Sequence, residues 1–168
     1  MLHTAIWVLR VANVINWIAA ALVMAGALFP LADPQMLDRA LDELFTEPAS
    51  ADAARFWLLA LLATTVPVAI AAHLIFTRLV AMLCDTQIGA AFSAANAARL
   101  TTIAWALLAI NIADLAFGRI SIWASAQSSE YFGWSPSLTG WFAVPLLLIL
   151  ARIFTEGAAM RDDLEGTV

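Results

Sequence analysis

Nearly all the charge in this 168-residue chain is excluded from four long apolar blocks, at about residues 5–29, 56–83, 100–117 and 138–154. A helix rises about 1.5 Å per residue and the hydrocarbon core is about 30 Å thick, so about 20 apolar residues are enough to cross it. The chain is 63% hydrophobic and 12% charged, with a mean hydropathy of +0.87. Such values lie outside the range of soluble domains. The expected fold is all-α: one polytopic membrane domain, an antiparallel four-helix transmembrane bundle. Its external loops would be 30–55 and 118–137, its inner loop 84–99 and its tail 155–168. Arg10, the apolar run after it and Ala25-Gly26-Ala27 imitate a secretory signal. The run is too long for one, however, and carries Asn13, Asn16 and Trp17, so it reads as the first span.

Orientation rests on arginine, since every one of the eight basic residues is Arg. Arg10, Arg78, Arg99, Arg152 and Arg161 flank the ends that share a side with the termini, whereas Arg39, Arg55 and Arg119 flank the others. Positive charge stays inside, so both termini are expected in the cytoplasm. Trp57, Trp123, Trp134 and Trp141 gather at the opposite ends, where an indole can place its ring in the acyl boundary and its N–H among headgroups.

The net charge of −5 leaves no basic patch for direct nucleic-acid contact. Cys84 is the single cysteine, which excludes an intrachain disulfide and a thiolate metal cluster. The first external loop carries Asp33, Asp38, Asp42, Glu43, Glu47 and Asp52 without the spacing of a calcium-binding loop, so a solvated polar face is the plainer reading. Within it, Leu37, Leu41, Leu44 and Phe45 recur at helical spacing, which predicts a short amphipathic surface helix over 34–45. The second external loop is rich in Ser and aromatics; it is expected to prolong the third helix and then turn at Gly133 and Pro136. Pro67 and Pro145 should kink the second and fourth spans.

Polar groups inside the spans are few: Asn13 and Asn16, then Thr64, Thr65, His73 and Thr77, then Asn111 and Asp114. Spacings of three or four put Asn13 with Asn16, His73 with Thr77 and Asn111 with Asp114 on shared helix faces. Counted from the inner ends, Asn16 and His73 lie at similar depth, so these two are expected to meet. An Asp in lipid costs a few kcal/mol, so Asp114 should face the interior, interfacial water or Arg119. Two readings stay open: a proton or cation relay with His73 and Asp114 as its titratable members, or hydrogen bonding that packs helices. A Ser/His/Asp triad would need a serine at the depth of His73, and none is there. The only other histidine is His3, and the chain has no glycine-rich phosphate loop, so neither an enzyme nor a cofactor is expected.

The inner loop reads Asp85-Thr-Gln-Ile-Gly89-Ala-Ala-Phe92-Ser93-Ala-Ala-Asn96-Ala-Ala-Arg99. Ser93 is placed to cap the third helix by accepting from the Asn96 amide, Phe92 to staple the chain back onto that helix, and Gly89 to permit the turn. The pattern Gly89-x-x-Phe92-Ser93-x-x-Asn96, with Phe154-x-x-Gly157-x-x-Met160-Arg161-x-Asp163-Leu164-Glu165-Gly166-Thr167-Val168 in the tail, resembles the bacterial family catalogued as domain of unknown function 2975. Ala91 stands where that family often has Pro. The resemblance covers most of the chain in layout and is specific at those two motifs. It implies a small four-helix, multi-pass protein of the bacterial inner membrane, without assigned activity, whose gene often neighbours a helix-turn-helix regulator.

The expectation is therefore a non-catalytic sensory or regulatory membrane protein. Gly89, Phe92, Ser93, Asn96, Phe154, Gly157, Met160, Arg161, Asp163 and Leu164 would present a docking surface to a cytoplasmic protein. The alternatives are a small oligomeric transporter or channel component using a polar seam of Asn13, Asn16, His73, Asn111 and Asp114, or an accessory subunit of a larger membrane complex.

Overall fold

The computed structural model describes residues 2–33, 35–36, 39, 48–127, 131–135 and 137–165; side chains at 30, 31, 48–50 and 161–165 are outside the description. Four long helices make up the described chain: α1 (Leu2–Ala32), α2 (Pro48–Gln87), α3 (Ala94–Gln127) and α4 (Thr139–Glu165). All four are long and apolar enough to cross a membrane, over Leu2–Phe29, Ala51–Gln87, Ala94–Gln127 and Thr139–Met160. Helix α3 runs to Gln127, so the third block does continue as helix into the expected external loop. Of the amphipathic helix expected over 34–45, only Gln35, Met36 and Arg39 are described. They are helical, and Asp33 Oδ1 accepts from the Gln35 and Met36 amides at 3.1 and 3.2 Å. Leu37, Leu41, Leu44 and Phe45 lie outside the described residues.

Side-chain size is sorted in the reverse of a soluble protein. Buried positions are mostly alanine, among them Ala27, Ala53, Ala69, Ala104, Ala124 and Ala151. Trp7, Val14, Leu22, Trp105, Phe142, Leu146 and Ile149 are exposed. Small residues let helix backbones approach closely where lipid removes the hydrophobic drive between helices, and large apolar side chains can face acyl chains without loss. A water-soluble protein would not leave so many large apolar groups outside. This sorting and the four long helices together describe a multi-pass membrane protein.

The chain divides into two compact units. The first comprises 1–16, 70–111 and 137–168, and the second 17–69 and 112–136, so α1, α2 and α3 each contribute to both. Pro67 lies within α2 and Pro145 within α4. Thr64 and Thr65 donate to the Ala60 and Leu61 carbonyls at 2.8 and 2.6 Å, and Thr77 to that of His73 at 2.8 Å. These hydroxyl protons are therefore spent on their own helix.

In the second unit, Ala51 and Ala54 pack with Leu58 and Phe132. The Trp57 ring lies between Phe117 and Phe132, with centroids 5.5 Å away in each case, and its Nε1–H donates to the fully buried Ser121 hydroxyl at 3.0 Å. Phe56 meets Trp123 edge to face at 5.3 Å. The Ser125 hydroxyl accepts from the Phe132 amide at 2.9 Å. Trp134 fills the space that a side chain at Gly118 would occupy, which is why glycine is needed there.

Candidate functional site

Within the first unit, α2 ends on a glycine stop. The Ala90 amide donates to the Asp85 carbonyl at 2.9 Å, the Gly89 amide to that of Thr86 at 3.2 Å, and Gly89 has φ +78°. This pairing is the Schellman arrangement, whose left-handed position favours a residue without Cβ. Helix α3 then starts under a serine cap, with the Asn96 amide donating to Ser93 Oγ at 3.2 Å, as the spacing predicts.

Asn96 does more than receive the cap. Its side chain is fully buried and its amide donates to the Ala90 and Ala91 carbonyls at 3.2 and 2.9 Å, so one side chain satisfies two loop carbonyls. Its Oδ1 accepts from Arg99 at 2.6 Å, and Arg99 also pairs with Asp85 at the end of α2. The inner loop is thereby braced from both flanking helices. Sequence reading named Asn96 as a motif residue and Arg99 as an orienting charge, and missed Asp85. The available signal was the i, i+3 spacing of Asn96 and Arg99 beside an acid in the last turn of α2.

Phe92, expected to staple back onto α3, packs its ring on α4. Its ring lies 4.8 Å from that of Phe154, and a Cβ at Gly157 would come within 3.4 Å of it. Phe154 offers that ring an aromatic partner, whereas the residues that begin α3 are alanines and give it no bulky one. Gly89, Phe92, Ile153, Gly157 and Met160 line an open apolar groove of about 380 Å³. Phe92, Ile153 and Met160 stay 52%, 53% and 63% exposed, so the groove is open among the described residues. Seven of the expected docking residues are thus brought to one place: Gly89, Phe92, Ser93, Asn96, Phe154, Gly157 and Met160. The backbone of α4 is helical through Arg161, Asp163 and Leu164, whose side chains lie outside the description, as do residues 166–168.

Of the polar residues expected to form a seam, Asn13, His73, Asn111 and Asp114 have described contacts. His73 Nδ1 lies 3.0 Å from Asn13 Oδ1. Asn13, three residues from Asn16 on the same helix face, thus meets His73 from α1. Asn111 is buried, with its amide nitrogen unpartnered among the described residues and its carboxamide against the backbone of Gly140, where a Cβ would clash. Asp114, in the second unit, accepts from Trp134 Nε1 at 3.3 Å, and no ion pair joins it to Arg119 among the described residues. Asn13, His73 and Asn111 belong to the first unit and Asp114 to the second. The Asn13–His73 contact joins α1 to α2 and the Asn111–Gly140 contact joins α3 to α4, as interhelical polar contacts in a membrane bundle do.

No family profile, curated protein or solved structure matches this chain.

Proposed function

We propose that this protein is a non-catalytic regulatory or sensory membrane protein that docks a cytoplasmic protein through its inner loop and the C-terminal part of α4. In this reading the four helices form an antiparallel bundle in a bacterial inner membrane, with both termini in the cytoplasm, as the arginine distribution favours. The observation that carries it is the open groove beside Phe92, built on a loop braced by Asn96, Arg99 and Asp85. Rigid walls lower the ordering cost of binding, and an apolar trough with a flexible Met160 at its rim suits an apolar anchor from a partner helix. The resemblance to the domain of unknown function 2975 family makes a helix-turn-helix regulator the first partner to test.

A photo-crosslinker at Met160 of the full chain in native membranes provides that test. One cytoplasmic protein should be captured, and filling the groove with Gly157→Leu or emptying it with Phe92→Ala should abolish the adduct. Equal capture by all three proteins would reject the docking surface.

A further inference from the structure

A second concavity in the first unit, of about 170 Å³, is lined by Leu9, Arg10 and Asn13 of α1 and by Phe76, Thr77 and Val80 of α2. Its polar chemistry is one-sided. The ion pairs among the described residues use Arg55, Arg99 and Arg152, so the exposed Arg10 guanidinium has no carboxylate partner there. Asn13 lines the groove and its Oδ1 is taken by His73 Nδ1, so what it has left to offer a ligand is its amide N–H, and the Thr77 hydroxyl proton is spent on the His73 and Leu74 carbonyls. What remains is a fork of N–H donors at one edge and an apolar wall of Leu9, Phe76 and Val80.

We propose that this groove holds an anionic phospholipid, its phosphate on Arg10 and Asn13 and one acyl chain along Phe76 and Val80. Both helices are long and apolar enough to lie in a membrane, so the molecule at hand to fill a groove on them is a lipid. Arginine presents its N–H groups in a planar fork that matches phosphate oxygens. The lining contains no acidic group that would receive the ammonium of a zwitterionic headgroup, and Arg10 repels one; the site therefore selects net negative charge. This inference is independent of the docking groove beside Phe92.

Native mass spectrometry of the full chain in mild detergent, titrated with phosphatidylglycerol, with phosphatidylcholine of the same chains or with inorganic phosphate, tests it. Phosphatidylglycerol should bind preferentially. Arg10→Gln should weaken it about tenfold, the scale of one charge-assisted contact, while Arg10→Lys recovers part of the loss. Val80→Trp, which fills the groove without changing charge, should also lose the lipid, and Arg78→Gln, outside the groove, should retain it. Equal binding of both lipids, equal loss on Arg78→Gln, or inorganic phosphate binding as tightly as the lipid would overturn the assignment.

Discussion

The loop between α2 and α3 and the segment between α3 and α4 are held by different means. The first is closed by hydrogen bonds: a glycine stop, a serine cap and one asparagine that satisfies two carbonyls while an arginine ties it to the preceding helix. Among the described residues of the second, ring packing is added to the Ser125 and Asp114 hydrogen bonds: Trp134 lies over Gly118, and Trp57 packs against Phe117 and Phe132 and holds Ser121. Hydrogen bonds fix a backbone path closely but tolerate no missing partner, whereas ring packing spreads its energy over area and yields by degrees. The polar loop is therefore suited to presenting a surface of fixed shape, and the aromatic segment to anchoring at a membrane boundary.

That contrast can be broken by substitution, read as unfolding of the full chain in detergent. Asn96→Ala should cost most, about 3 kcal/mol, because it strands two loop carbonyls and the Arg99 contact at once. A loss below about 1 kcal/mol would mean that water can replace the side chain and that the loop is less braced than its geometry implies. Gly118→Ala should cost about 2 kcal/mol by pushing Trp134 off its seat. Trp57→Phe keeps the ring stack and removes the bond to Ser121, so about 1 kcal/mol is expected. Least affected should be Arg152→Gln, which breaks an exposed pair with Glu156 in which Nε–H donates to Oε1 at 2.7 Å. It should cost under about 0.5 kcal/mol, and a larger effect would show that isolated charge pairs matter here as much as built-in ones.

The four helices were legible because membrane insertion writes itself along one dimension: charge is excluded from any run that must lie in lipid. The cap at Ser93 and the turn at Gly89 were legible for the same reason, as local rules acting over three or four residues. Contacts that depend on how helices are rotated were not. Counting depth puts Asn13 and Asn16 within about 4.5 Å of each other along the axis, so it could not reveal that Asn13 meets His73. The spacing before α3 points Phe92 to the helix that follows it, because nothing local reveals that Phe154, some sixty residues later, meets its ring. The partner of Asp114 depends on the path of the segment carrying Trp134, which spacing does not encode.

Docking as proposed requires that the inner loop and the C-terminal part of α4 face the same compartment and together offer one groove. Cys84 is exposed near the end of α2 and is the chain's sole thiol. A Met160→Cys variant in a Cys84→Ser background moves that thiol to the rim of the groove. Labelling with a membrane-impermeant maleimide should leave both thiols unreacted in intact cells and modify both in inverted membrane vesicles. Reaction of Cys84 and of the residue-160 thiol from opposite sides of the membrane would contradict the account.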